Sequence, residues 1–289
     1  MSGWHIGIIG GSGLYDVAGI EDGAWVEVDS PWGEPSDAIF TGRLGDVGVS
    51  FLPRHGRGHR ISPSGLNSRA NVDCLKRLGV TDILSVSSVG GLTEERAPGT
   101  FTIVDQFIDR TKGRPSSFFG SGMVAHVSMA DPVCPRLSAY VGEAAEAAGA
   151  RVHRAGTCLV MEGPQFSTRA ESHLYRSWGC HVIGMTAMPE AKLAREAELP
   201  FAMVGMVTDY DCWREEEAAV DVAQVIAQLS SNAATARAMV LNLLRALPAE
   251  RAASPIDTCL DTALITAPHV RDPEVLARLD AVAGRVLRG

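Results

Sequence analysis

A chain of 289 residues, 46% of them hydrophobic, has enough apolar material for a sizeable core, and its formal charge of −8 excludes the basic field that nucleic acid or an anionic membrane surface requires. No run approaches the roughly 18 consecutive apolar residues of a membrane span, and the N-terminal MSGWHIGIIGG has neither the basic region nor the cleavage site of a secretory signal. The six cysteines include no C-x-x-C spacing, so reduced thiols in the cytoplasm are expected rather than a disulfide framework or a zinc site.

In chain order, the first β-type run is HIGIIG (5–10), after which residues 15–25 read as a loop ahead of another strand. GVSFLPR (48–54), DILSVSS (82–88), TFTIVDQFI (100–108), GTCLVME (156–162), HVIGM (181–185) and FAMVGMV (201–207) continue the series. Helical patterns over 68–78, 136–148, 168–178 and 189–198 fall between these runs. Thr168 and Glu171 make a capping box for the third helix, and Pro189 suits the first turn of the fourth. From Ala219 to Leu247 apolar residues recur every three or four positions, which predicts a long amphipathic helix. The tail 250–289 starts loop-like and ends in a helix signalled by Asp272-Pro273. Strands alternating with helices predict an α/β fold: a single domain over 1–289, with a central, mostly parallel, twisted sheet flanked by helices and 250–289 as a C-terminal extension whose role the pattern leaves open.

Three segments at strand ends suit an anion. Gly10, Gly11 and Gly13 leave backbone N–H groups open beside the Ser12 hydroxyl, although a plain tight turn fits the same residues. PRHGRGHR (53–60) packs three arginines and two histidines into an acidic protein; glycines at 56 and 58 allow convergence on a counter-anion, and a solvated basic loop is the alternative. SVSSVGG ends a strand in Ser87, Ser88 and two glycines, again an oxyanion-compatible array. Together the three favour a phosphate site.

VTDYDCW (207–213) sets Asp209 and Asp211 two residues apart at the end of an apolar run. On a strand both would point the same way, and two close carboxylates resist ionising together, which keeps a proton available near neutral pH. A D-x-D metal site is disfavoured by the lack of histidine or further carboxylates nearby.

MEGPQFSTRAE (161–171), GMTAMPEAKLARE (184–196) and TDYDCW (208–213), joined by IGIIGGSGLYD, PRHGRGHRISPSGLNSRAN, DQFIDRT and MADPVCP, make the chain similar to the 5'-methylthioadenosine phosphorylase branch of the trimeric purine nucleoside phosphorylases. The resemblance covers roughly residues 5–245 and implies that phosphate displaces adenine from a purine nucleoside without metal or organic cofactor. It implies phosphate binding by Ser12, Arg54, His55, Ser87, Ser88 and Thr186, and packing surfaces for base and ribose at Phe166 and Met185. It further implies that Asp209 serves as the acid at purine N7, with Asp211 as its partner and acceptor for the 6-amino group. Relatives that cleave 6-oxopurine nucleosides carry an asparagine in this loop and a glutamate after the G-P-x-aromatic motif, where this chain has Asp209 and the neutral Ser167. Val222, Val225 and Ile226 share one helical face by spacing, and the resemblance makes that face the pocket for the 5'-alkylthio group. It also implies a homotrimer, or a hexamer built from two, in which His126 reaches the neighbouring subunit's site. Gln165 and Gly184 depart from the vertebrate pattern. Phosphorylases for 6-oxopurine, methylthioinosine or other 5'-modified nucleosides, and a non-catalytic nucleoside-binding module, are the alternatives.

Overall fold

Eleven strands lie in the described part of the structure, a computed structural model covering residues 3–11, 14, 19–214 and 222–288; the side chains of residues 222–225 and 229 are outside that description. They are β1 (His5–Gly10), β2 (Glu21–Val26), β3 (Ile39–Leu44), β4 (Val47–Pro53), β5 (Asp82–Gly91), β6 (Thr100–Val104), β7 (Gln106–Arg110), β8 (Arg151–His153), β9 (Thr157–Met161), β10 (Val182–Gly184) and β11 (Phe201–Asp209). One sheet runs β2-β3-β4-β1-β5-β10-β9-β7, while β11 pairs with β5 and β6, and β8 extends from β6. Parallel pairing joins β1 to β4 and β5, β5 to β11, β9 to β7 and β10, and β6 to β8. The sheet is thus mixed with a parallel majority.

Side-chain alternation explains why both faces are covered. Ile6 and Ile8 face one apolar layer and Ile9 the other; on β11, Ala202, Val204 and Met206 face the first, and Phe201, Met203 and Val207 the second. The first layer is closed by α2 (Pro135–Ala147) and α5 (Val222–Ala246), the second by α1 (Ser68–Arg77) and α4 (Ala187–Glu196). At Gly7 an added Cβ would lie 2.8 Å from Val80 Cγ1, so that close approach of strand and helix layer requires glycine. The helix α3 (Arg169–Ser177) covers a third, smaller cluster around Tyr175, Ile183 and Trp213. Its capping box is present, with Thr168 Oγ1 accepting the Glu171 N–H at 3.2 Å and the Glu171 carboxylate accepting the Thr168 N–H at 2.8 Å.

Two expectations change. TFTIVDQFI is two strands, because Asp105 leaves the ladder and its side chain accepts the Gly156 N–H at 3.0 Å; β6 then pairs with β11 and β8, and β7 with β9. Residues 21–25, read as loop, belong to β2, an exposed strand whose polar composition hides its ladder.

The tail packs on the second layer through Leu260, Ala263, Leu279, Val282 and Ala283. It carries α6 (Pro273–Arg278), N-capped by Asp272 as expected, and α7 (Gly284–Leu287). Arg285 grips the buried Glu198 carboxylate at 2.6 and 2.8 Å.

Candidate active site

The site residues gather along the second half of β5: β1, β4 and β11 run in the same direction as β5, whereas β9 and β10 run against it, which brings Thr186, just after β10, to Ser87. Arg54, just after β4, turns beneath β1 and β5 and is 2% exposed. It binds both oxygens of the equally buried Glu190 (2.6 and 3.1 Å), the Ile9 and Val86 carbonyls (3.1 and 3.0 Å) and Ser85 Oγ (2.7 Å). Nη1 contributes only the Val86 contact, so one of its N–H groups has no partner among the described residues.

The rest of PRHGRGHR does not converge with Arg54. Arg57 pairs with Asp37 at 2.8 Å and Arg60 donates to the Ser36 carbonyl at 2.6 Å. His55 Nδ1 donates to the Ile61 carbonyl at 2.8 Å, and the ring stacks on His59 with centroids 4.3 Å apart. Burial, then the Arg54 charge, pull the His55 pKa down to about 4, so at neutral pH its Nε2 is a bare acceptor. It can therefore accept a proton-bearing phosphate oxygen, but it adds no positive charge.

Ser87 Oγ lies 3.3 Å from Thr186 Oγ1. Thr186 occupies the N-cap position of α4 yet makes no side-chain cap bond, so its hydroxyl and the open N–H groups of that helix start can serve an anion. Met188 interrupts the helical geometry, and the regular turns begin at Pro189, as its placement in the first turn predicts. Ser88 is half-buried on the same strand end, and Ser12 lies outside the described residues.

The carboxylates come together differently from the strand alternation expected. β11 ends at Asp209, and Asp211 follows in a left-handed turn at φ 53°. Asp209 Oδ1 accepts the Asp211 N–H at 2.8 Å and Oδ2 accepts the Thr208 hydroxyl at 2.7 Å. Both residues crowd Gly90: a Cβ there would sit 3.1 Å from Asp209 Oδ1 and 3.4 Å from Asp211 Cβ. Asp209 is half-exposed, whereas Asp211 is buried and, among the described residues, its Oδ2 has no hydrogen-bond partner. Burial pushes the Asp211 pKa up.

A raised carboxyl pKa means that the folded state holds this proton to higher pH than the unfolded chain does. The stabilising contribution is complete below the unfolded value and is lost as pH rises through the folded value. Asp211→Asn should therefore melt about 2–4 °C above the wild type at pH 8, with the difference closing towards pH 4. Equal melting temperatures at both pH values would show that the buried carboxylate carries no such load.

Phe166, 44% exposed, stands on the loop between β9 and α3 beside Ser167, which is half-buried. Met185 lies between β10 and α4, with Sδ 2.5 Å from the point where a Gly163 Cβ would be, so the thioether rests against that glycine backbone at φ 67°. His126 is exposed, its backbone N–H held by the Ala263 carbonyl at 2.9 Å, and among the described residues of this chain it makes no hydrogen bond to the others named here. Ile226 is 56% exposed on α5; the side chains of Val222 and Val225 are outside the described part. Among the described residues no three His, Cys, Asp or Glu side chains are grouped to hold a metal ion. Glu190 and Arg114 escaped the sequence reading; their only signal was a place inside or near the motifs GMTAMPEAKLARE and DQFIDRT, with nothing local to reveal their partners.

Hydroxyls and a helix start gathered at Ser87, with Asp209 and Asp211 crowding Gly90 on the same strand, are what a nucleoside-processing transferase would need. The family model described as the phosphorylase superfamily matches residues 5–245, and the chain belongs to that family. It is 62% identical over 98% of its length to the S-methyl-5'-thioadenosine phosphorylase of Cereibacter sphaeroides, covering 99% of that protein, and 58% identical, with 98% of each chain covered, to the one from Bradyrhizobium diazoefficiens. A methylthioadenosine phosphorylase from an antarctic soil metagenomic library superposes with a TM-score of 0.92 at 46% identity, over 98% of this chain and 99% of that one. The enzyme from Schistosoma mansoni in complex with adenine gives 0.78 at 38% identity, over 84% and 91%.

Proposed function

We propose that the protein cleaves S-methyl-5'-thioadenosine with inorganic phosphate, yielding adenine and 5-methylthioribose 1-phosphate. One observation carries the reading: the end of β5 presents Ser87 to Thr186 and, three residues on, Gly90 to the two aspartates. Three residues of strand span about 10 Å, room for a ribosyl group between a phosphate and a purine edge.

In this reading Arg54 offers its remaining N–H, Ser87, Ser88, Thr186 and Ser12 their hydroxyls, and His55 its Nε2 acceptor to the phosphate. A phosphate oxygen bonds to C1' as the C1'–N9 bond breaks, and that electron pair passes into the purine. Phosphate faces the positive charge on the sugar, and the carboxylate pair gives its one proton to N7. Burial favours the proton on Asp211 at rest; it passes to Asp209, the more open of the two, which delivers it to N7. The charged partner accepts from the 6-amino group, so a 6-oxo base sets acceptor against acceptor. Phe166, Ser167 and Met185 enclose base and ribose. The working form is a homotrimer in which His126 reaches the next subunit's site, and six free cysteines support a reducing, cytoplasmic setting. Residues 250–289 extend the same domain.

The test is a panel of nucleosides with and without phosphate, read as free base. Val222, Val225 and Ile226 are taken as the 5' pocket, where a methylthio group is favourably dehydrated and a hydroxyl is poorly satisfied; each buried methyl equivalent is worth about 0.8 kcal/mol and the hydroxyl costs about 1–3 kcal/mol. S-methyl-5'-thioadenosine should exceed adenosine in kcat/KM by about 10- to 10³-fold. Val222→Asp should remove most of that preference. A wild type that favours adenosine, or base release independent of phosphate, would refute the assignment.

A further inference from the structure

Strands β9 and β10 run parallel with Val160 beside Gly184, so Glu162-Gly163 and Met185-Thr186 leave the sheet side by side, beyond the last rung of their ladder. Arg114 takes over there. Its Nη2 donates to the Glu162 carbonyl at 2.6 Å and its Nη1 to the carbonyls of Met185 and Met188 at 2.6 and 3.0 Å. Nε lies 3.2 and 3.1 Å from the Glu162 carboxylate, and the arginine side chain is only 6% exposed. Glu162 is itself fixed by the Ser64 hydroxyl and by the Lys112 N–H at 2.6 Å. A guanidinium is rigid and planar, so its covalent geometry sets the separation of the two loops it bridges. One loop leads to Phe166, the other carries Met185 and Thr186.

We infer that Arg114 is a positioning residue that holds the nucleoside wall and the phosphate hydroxyl of Thr186 at their working separation, an inference that rests on the phosphorolytic reading above. It touches neither ligand and acts through backbone carbonyls. Its removal lets the two loops move apart together, which weakens both ligands rather than one.

Arg114→Met and Arg114→Lys, each alone and combined with Thr186→Ala, test this by adenine release from S-methyl-5'-thioadenosine across a range of phosphate concentrations. Arg114→Met should raise the KM of nucleoside and of phosphate by about 10-fold or more each and lower kcat by up to about 10²-fold, the scale of a 1 Å misplacement. Arg114→Lys should fall between Met and wild type, since an ammonium can pair with Glu162 but cannot span the three carbonyls. The loss from Thr186→Ala should be smaller in the Arg114→Met background than in the wild type, because the hydroxyl is already displaced. Wild-type KM values with only a lowered melting temperature, or losses that multiply independently, overturn the inference. If Arg114→Met does not fold, native KM values for both ligands in Arg114→Lys do the same. Wild-type enzyme that releases no adenine with phosphate overturns the reaction itself, a result distinct from any of these.

Discussion

Asp209→Asn should lower kcat for phosphorolysis of S-methyl-5'-thioadenosine by about 10²–10⁴-fold, the scale for removing a positioned acid, while the protein still folds. Asparagine keeps a carbonyl oxygen where Asp209 Oδ1 accepts the Asp211 N–H, so the turn that brings the second carboxylate beside Gly90 retains its tie. On the proposed reading, what disappears is the route of the proton to N7, since the amide can neither ionise nor exchange a proton with Asp211. The wild-type rate should fall at high pH as the pair loses its proton, and the variant's residual rate should not follow that limb. Near-native turnover, with the high-pH limb intact, would take the acid role away from Asp209.

Arg54→Ala should cost about 3–5 kcal/mol of stability, because it strands the Glu190 carboxylate, 1% exposed, without its ion-pair partner. That exceeds the roughly 1.5–3 kcal/mol of a single charge-assisted contact to phosphate, so the loss of stability outweighs the loss of phosphate binding. The two roles separate in Arg54→Ala with Glu190→Gln. Neutralising the stranded partner should restore part of the urea midpoint, while the phosphate KM stays raised by about 10- to 10²-fold. Recovery of the phosphate KM together with stability would reduce Arg54 to scaffolding.

The helices and most strands were legible because their signals are short-range: the Thr168–Glu171 box, the Asp272 cap and the apolar alternation of HIGIIG and FAMVGMV all lie within a few residues of what they specify. The candidate anion residues could be named from their types and from the family likeness, yet types do not say which of them meet. Arg54 and Glu190 are 136 positions apart, and Arg114 and Met185 are 71 apart. Only the packing of β1, β5, β9 and β10 into one sheet joins them, while Arg57 and Arg60 go to Asp37 and Ser36. Strand alternation suggested two aspartates pointing the same way, and the turn at Asp211 made them unequal, one half-exposed and hydrogen-bonded, the other buried with an oxygen that has no partner among the described residues. The sequence by itself determined the residue types, the periodicities and the turn and cap chemistry, all of which depend on near neighbours. The tertiary structure decided charge state and partnership, because desolvation and ion pairing depend on what the rest of the chain places around a group.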